Sequence, residues 1–150
     1  MSLNWARLVH EKLALIAIFA YSQEPLAQMR LAKFKGEWPS HDKFLHEIPQ
    51  IEATKALMEL ALYFRTLDDA QGLTPYWKIV GDTVGTLYLK DGKTEPLSPR
   101  EMSNKIIHAE HIDWDFSESP KIVCTGKDEK WTSAEIDLIA LIEIGGRLGS

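Results

Sequence analysis

The sequence contains a single cysteine, Cys124, so no internal disulfide can form. Small secreted domains commonly depend on disulfides, whereas intracellular compartments keep thiols reduced. No second cysteine stands near Cys124 in a Cys-x-x-Cys pair, and a lone cysteine in a strand-like segment usually packs as a small hydrophobic residue. We therefore expect a cytoplasmic protein in which Cys124 is not a nucleophile.

Long apolar runs are also missing. The longest, Leu13 to Tyr21, is about half of the roughly 20 residues that a membrane-spanning helix needs. Glu11 and Lys12 precede this run, and Glu24-Pro25 follows it. We interpret it as part of a core helix and expect no membrane partner.

Positive charge is in deficit, with 17 basic against 22 acidic side chains and a formal net charge of −5 at pH 7. Such a chain repels a phosphate backbone at long range, so nucleic acid would need a local patch. No Gly-rich phosphate loop, nucleophile elbow or His-Glu-x-x-His pattern is present. These absences narrow the list of enzyme classes, and we expect no cofactor.

What remains is an ordinary globular composition, with 45% hydrophobic and 26% charged residues in 150 positions. This length is that of one domain, and we expect residues 1–150 to form a single one. No internal repeat or low-complexity segment is visible.

The first half of the chain carries mainly helical patterns. Helices are predicted from Asn4 to Tyr21 and from Glu24 to Phe34, because Glu24-Pro25 is typical of a new helix start. Gly36 to Gln50 combines glycine and prolines with polar residues and predicts a loop. Ile51 to Leu67 has a wide apolar arc, typical of a central bundle helix, and Gly72 is expected to end it.

The second half changes character. Tyr76 to Leu89 mixes helical and strand spacings and leaves both open, with a preference for helix. Alternating or turn-bounded segments then predict strands at Ile112–Phe116, Lys121–Thr125 and Trp131–Ile136. A last helix is expected over Asp137 to Ile144.

These elements predict an α+β protein that is mainly helical. We expect a bundle of four or five helices with a small antiparallel β-hairpin or sheet between residues 112 and 136.

The best-defined element is a helix from Ser98 to Ala109. Ser98 is a typical N-cap, Pro99 suits the first helical position, and Glu101 completes a capping box. Leu97 and Met102 form the accompanying hydrophobic staple. The cap sets where this helix begins and therefore which way each of its side chains points.

Arg100, Asn104 and His108 follow at intervals of four on this helix and form one polar stripe. Ile107 lies beside the stripe, so we expect the polar groups to face a groove or a partner. Arg65, near the end of the central helix, is placed to reach such a groove.

The segment Asn104-Lys105-Ile106-Ile107-His108-Ala109 resembles the helical motif of the HEPN superfamily, small helical proteins of bacterial stress and defence systems. The family pattern is an arginine, usually followed by a polar residue such as asparagine, with a histidine a few residues later. Asn104 and His108 match this pattern. Ser103 occupies the arginine position, and seven residues separate Arg100 from His108.

In active members the resemblance implies a metal-independent ribonuclease whose site is completed across a homodimer. Histidine lies near the attacking ribose hydroxyl, and arginine binds the scissile phosphate. The implied catalytic residues are His108, Asn104 and Arg100; the implied binding residues are Ser103, Arg65 and His111. Serine at position 103 can perform only part of the phosphate-binding role of arginine. We therefore expect a catalytically degenerate, RNA-associated or partner-binding homodimer.

A different interpretation is a non-enzymatic structural or interaction protein with no nucleic-acid role. Asn104 would then be hydrogen-bonded locally, and His108 would lie favourably at the negative end of the helix dipole.

Metal binding is a third alternative that the pattern disfavours. His108 and His111 are spaced to share an ion, but a third ligand at defined spacing is not evident. His41 and His46 would point about 140° apart on a helix. We therefore predict no metal site and interpret His41 to Glu47 as a solvated loop.

Overall fold

The computed structural model describes residues 4–33, 39–128 and 130–149, without the side chains of residues 39 and 40. Helices alternate with short strands along the chain. In chain order the elements are α1 (Trp5–Lys33), α2 (Pro39–Asp42), a π-helical turn (Lys43–Glu47), α3 (Ile48–Gln71), α4 (Thr74–Val80), β1 (Gly85–Leu89), β2 (Thr94–Leu97), α5 (Pro99–Ile107), β3 (His111–Asp115), β4 (Lys121–Thr125), β5 (Trp131–Asp137) and α6 (Leu138–Gly146). The predicted α+β, mainly helical class is confirmed.

The strands form one antiparallel sheet in the order β2-β1-β5-β4-β3. It begins at Gly85 and ends at Asp137, so it extends beyond the predicted range of 112–136. The ambiguous segment 76–89 divides at Gly81, whose φ of 126° suits glycine and ends α4. The preference for helix was therefore right only up to Val80, and β1 was missed.

One face of the sheet is buried and the other faces outward. Ala134 of β5 pairs with Leu87 and Cys124, and all three side chains are buried. The neighbouring residues on each strand alternate to the opposite face and are half-buried or exposed. Helices α5 and α6 lie against the sheet, while α1 packs on α3 and α6 and α3 packs on α5.

Helix α1 runs unbroken through Pro25, so the predicted boundary between two helices was wrong. A proline inside a helix removes the hydrogen bond to the carbonyl four residues earlier, here that of Tyr21. Phe34, the predicted end of the second helix, lies outside the described residues.

The predicted loop from Gly36 to Gln50 is helical in its described part, from residue 39 onward. Contacts with α1 hold this segment, because Arg30 pairs with Asp42 at 2.7 Å. The amide of Ile48 bonds to the carbonyl of Lys43, the five-residue spacing of a π-helical turn. Residues 36–38 lie outside the described part of the chain.

Helix α5 matches its prediction to within two residues. Ser98 Oγ accepts a hydrogen bond from the Glu101 amide at 3.2 Å, and Pro99 is the first helical residue. Leu97 and Met102 are fully buried, as the staple requires. His108 is the C-cap, so the predicted stripe runs from the first turn of α5 to just beyond its last residue.

Within the described residues, none of the helices is both long and apolar enough to cross a membrane.

Candidate functional site

The polar stripe of α5 faces α3. Arg100 Nη1 donates to Asp68 Oδ2 at 2.7 Å and to Asp69 Oδ1 at 2.5 Å. The hydrogen bond to Asp68, and then that to Asp69, raises the pKa of Arg100 above its usual value. Asp68 Oδ1 also accepts the amide of Leu73 at 2.9 Å, just after α3 ends.

Arg65 and Asn104 continue this contact along the helix pair. Arg65 Nη1 donates to Asn104 Oδ1, and Arg65 Nε lies 3.9 Å from Asp69. We call Arg65, Asp68, Asp69, Arg100 and Asn104 the α3–α5 polar cluster. Its two arginines and two aspartates cancel in formal charge. Each guanidinium group also has a carboxylate partner, Asp69 for Arg65 and both aspartates for Arg100.

Ser103 lies apart from this cluster. Its side chain is fully buried, and its hydroxyl donates to the Pro99 carbonyl at 3.1 Å. The position at which the HEPN motif has an arginine is therefore a core position in this chain.

His108 and His111 are both exposed. His111 begins edge strand β3 on the outward face of the sheet, whereas His108 caps α5. Neither side chain has a hydrogen-bond or ion-pair partner within the described residues. In the same part of the chain, no three histidine, cysteine, aspartate or glutamate side chains are placed to hold a metal ion.

Cys124 is a core residue of β4. Its side chain is fully buried, and desolvation raises the pKa of its thiol to about 12. A thiol that stays protonated at neutral pH is a poor nucleophile.

A second group of polar side chains, which the sequence did not indicate, surrounds His46. Here α1 meets the π-helical turn and the residue that follows β3. The half-open cavity has a volume of about 240 Å³ and is lined by Gln23, Glu24, Leu26, Ala27, Arg30, Leu45, His46 and Phe116. We call it the His46 cavity.

Hydrogen bonds fix the orientation of His46. Its Nδ1 lies 2.6 Å from Gln23 Oε1, and Gln23 Nε2 donates to the Phe19 carbonyl at 3.3 Å. An amide oxygen only accepts, so Nδ1 of His46 carries the proton. In the neutral ring Nε2 is then an acceptor, and it has no partner within the described residues.

Aromatic rings form the wall behind His46. Its ring centroid lies 6.2 Å from that of Phe19 and 5.9 Å from that of Phe116. Trp114 meets Phe19 edge-on at 5.0 Å, and its Nε1–H donates to Thr54 Oγ1 at 3.1 Å. This aromatic cluster connects α1, α3 and β3. Phe116, which lines the cavity, is therefore held by the packed fold.

The sequence signal for this site was weak. Pro39 is a typical helix start and His46 follows apolar residues, but glycine and prolines in the segment favoured a loop. His46 comes into contact with Gln23 only because α1 and the π-helical turn pack together.

A third feature is an exposed apolar surface on the helix pair α1 and α3. Ile18 of α1 is 69% exposed, and Ile51 and Leu62 of α3 are 54% and 52% exposed. These residues face away from the buried sides of their helices. We call this surface the outer apolar face; it comprises Leu15, Ile18, Ile48, Ile51, Met58 and Leu62.

Comparison with known proteins found no matching family model, no matching curated protein and no matching solved structure.

Proposed function

We propose that this protein is a non-catalytic interaction protein that works as a homodimer through its outer apolar face. The observation that carries this proposal is the stripe of large, exposed apolar side chains on α1 and α3. Six large apolar side chains exposed on two helices that pack together favour such a surface, because exposed apolar patches typically mark interaction sites.

A second copy is the partner that this surface suits best. In a two-fold dimer each copy contributes the same patch, so apolar surface covers apolar surface. From Ile48 to Leu62 the stripe is about 21 Å long at the rise of an α-helix. The adjacent Glu52 and Lys55 pair with each other at 3.4 Å, so the face carries no excess charge that would repel a copy of itself.

The contacts of α5 support a role without catalysis. The HEPN resemblance implies a dimer built around the motif helix, with an arginine free to bind phosphate. Here Arg100 and Arg65 bind groups of α3 and α5, and the residue at the arginine position, Ser103, is buried. The outer apolar face is thus better placed than α5 to meet a partner.

Sedimentation equilibrium over a range of concentrations tests the dimer. Wild type is expected at twice the mass of one chain, and Ile51→Glu at the mass of a monomer. Ile79→Glu is the matched control, because Ile79 is 85% exposed on α4 and lies outside the face. A monomeric wild type, or dissociation of both variants alike, would refute this interface.

A second candidate function is the metal-independent ribonuclease that the resemblance implies. Exposed His108, without a partner in the described part of the chain, favours it. Wild type, His108→Ala and the control His10→Ala, an exposed histidine of α1 outside the motif, would be incubated with single-stranded RNAs in EDTA. Our proposal expects no cleavage by any of them; cleavage lost only in His108→Ala would replace it with the nuclease.

A further inference from the structure

We propose that the His46 cavity is a binding site for a small aromatic molecule that carries a hydroxyl or N–H donor on its ring and no negative charge. His46 also lies near Ile51 and Met58 of the outer apolar face. The cavity itself is lined by none of the residues of that face, and the proposal does not depend on dimerisation.

The size of the cavity sets the size of the ligand. Its volume is about 240 Å³. A dry cavity of about 150 Å³ accommodates benzene, so this one has room for one ring with a substituent. Its half-open shape gives such a ligand a way in from solvent.

The walls favour a ring with one polar end. Leu26, Leu45 and Phe116 supply apolar surface, and Phe116 can meet a ligand ring edge-to-face. His46 lines the cavity and carries an unpartnered acceptor, Nε2, because Gln23 holds the proton-bearing Nδ1. Gln23 is only 9% exposed, so the packed interior keeps this acceptor in place.

Charge at the rim disfavours anionic ligands. Arg30 is paired with Asp42 at 2.7 Å, and its positive charge is therefore already compensated. Glu24 also lines the cavity and has no ion-pair partner in the described residues. These three groups leave one negative charge at the rim, which disfavours a carboxylate or phosphate ligand.

The backbone conformation at His46 also supports a binding site. Leu45 and His46 both belong to the π-helical turn, and single π-helical turns within helices occur frequently at functional sites. In this chain the turn brings an acceptor and an apolar side chain to the same cavity.

The test is an NMR titration of the full chain, following backbone amides with three probes. p-Cresol has a ring and a donor, toluene has the ring alone, and 4-hydroxybenzoate adds a negative charge. We expect saturable shifts at Gln23, Arg30, His46 and Phe116 with millimolar p-cresol. Toluene should bind about fivefold to tenfold more weakly, as the loss of one hydrogen bond implies, and 4-hydroxybenzoate should also bind more weakly than p-cresol.

Two variants locate the binding. His46→Phe keeps a ring but removes the acceptor, so p-cresol and toluene should then bind equally. Ala27→Trp fills the cavity from an exposed position of α1 and should abolish binding without disturbing the core. Gln28→Trp, on the next exposed residue, is its control because Gln28 does not line the cavity.

The proposal is overturned by any of three results in folded protein. These are no saturable shifts around the cavity with p-cresol, equal affinity of wild type for toluene and p-cresol, or p-cresol binding that survives Ala27→Trp. If His46→Phe does not fold, the probe series on wild type and the Ala27→Trp comparison still decide the question.

Discussion

The α3–α5 polar cluster and the His46 cavity both bring together charged and polar side chains from separate helices, but they use them differently. In the cluster each arginine meets a carboxylate or amide oxygen, and Asp68 also accepts a backbone amide. Among the residues that line the cavity, His46 Nε2 and the Glu24 carboxylate remain without partners in the described part of the chain.

This difference separates a structural contact from a candidate binding site. Polar groups that satisfy one another hold two helices together and have little left for a ligand. Polar groups held in place beside a cavity, with one acceptor unfilled, are preorganised for a ligand. The conspicuous stripe on α5 thus contributes mainly to packing, and the less conspicuous His46 is the better candidate for binding.

The largest effect is expected from introducing an arginine at Ser103 of α5, the position at which the HEPN motif has one. Ser103→Arg places a charge at a fully buried position, where an uncompensated charge costs about 3–5 kcal/mol. Urea denaturation should show this loss in the free energy of unfolding. Ser103→Ala, the control, removes only one helix-internal hydrogen bond and should stay within about 1 kcal/mol of wild type. A stable Ser103→Arg would mean that this position can reach the surface.

Within the cluster, Asp68 should matter more than Asp69. The Asp68 side chain is 11% exposed and accepts bonds from Arg100 and from the Leu73 amide, whereas that of Asp69 is 55% exposed. We expect Asp68→Ala to cost about 1–3 kcal/mol, because it leaves the amide of the buried residue Leu73 unsatisfied, whereas Arg100 keeps its bond to Asp69. Asp69→Ala should cost about 0.2–1 kcal/mol, as for an exposed ion pair. Equal losses in urea denaturation would contradict this ranking.

The smallest effect is expected at the rim of the cavity. Glu24→Gln removes an exposed, unpaired charge, so the free energy of unfolding should change by no more than about 0.5 kcal/mol. The affinity for 4-hydroxybenzoate should rise by about twofold to fivefold, because exposed charge interactions are worth about 0.2–1 kcal/mol. The affinity for p-cresol should not change. An unchanged affinity for 4-hydroxybenzoate would show that Glu24 does not set the charge preference.

Local signals predicted parts of this structure closely. β4 was predicted at Lys121–Thr125 and is observed there, and Gly72 ends α3 with a φ of 62°. The predicted members Arg65, Arg100 and Asn104 of the site do come together, because helical spacing aligns Arg100 with Asn104. The sequence indicated that Arg65 of α3 could reach this groove, but not that Asp68 and Asp69 of the same helix would bind Arg100.

The sequence by itself determined the features that depend on short-range contacts. The Ser98 side chain caps an amide three residues away, so the start of α5 follows from the local residues. The tertiary structure decided the direction of the stripe, since Arg100 and Asp68 are 32 residues apart. It also decided the site at His46, whose hydrogen bond to Gln23 spans 23 residues. Such contacts depend on how whole helices pack, which no local pattern encodes.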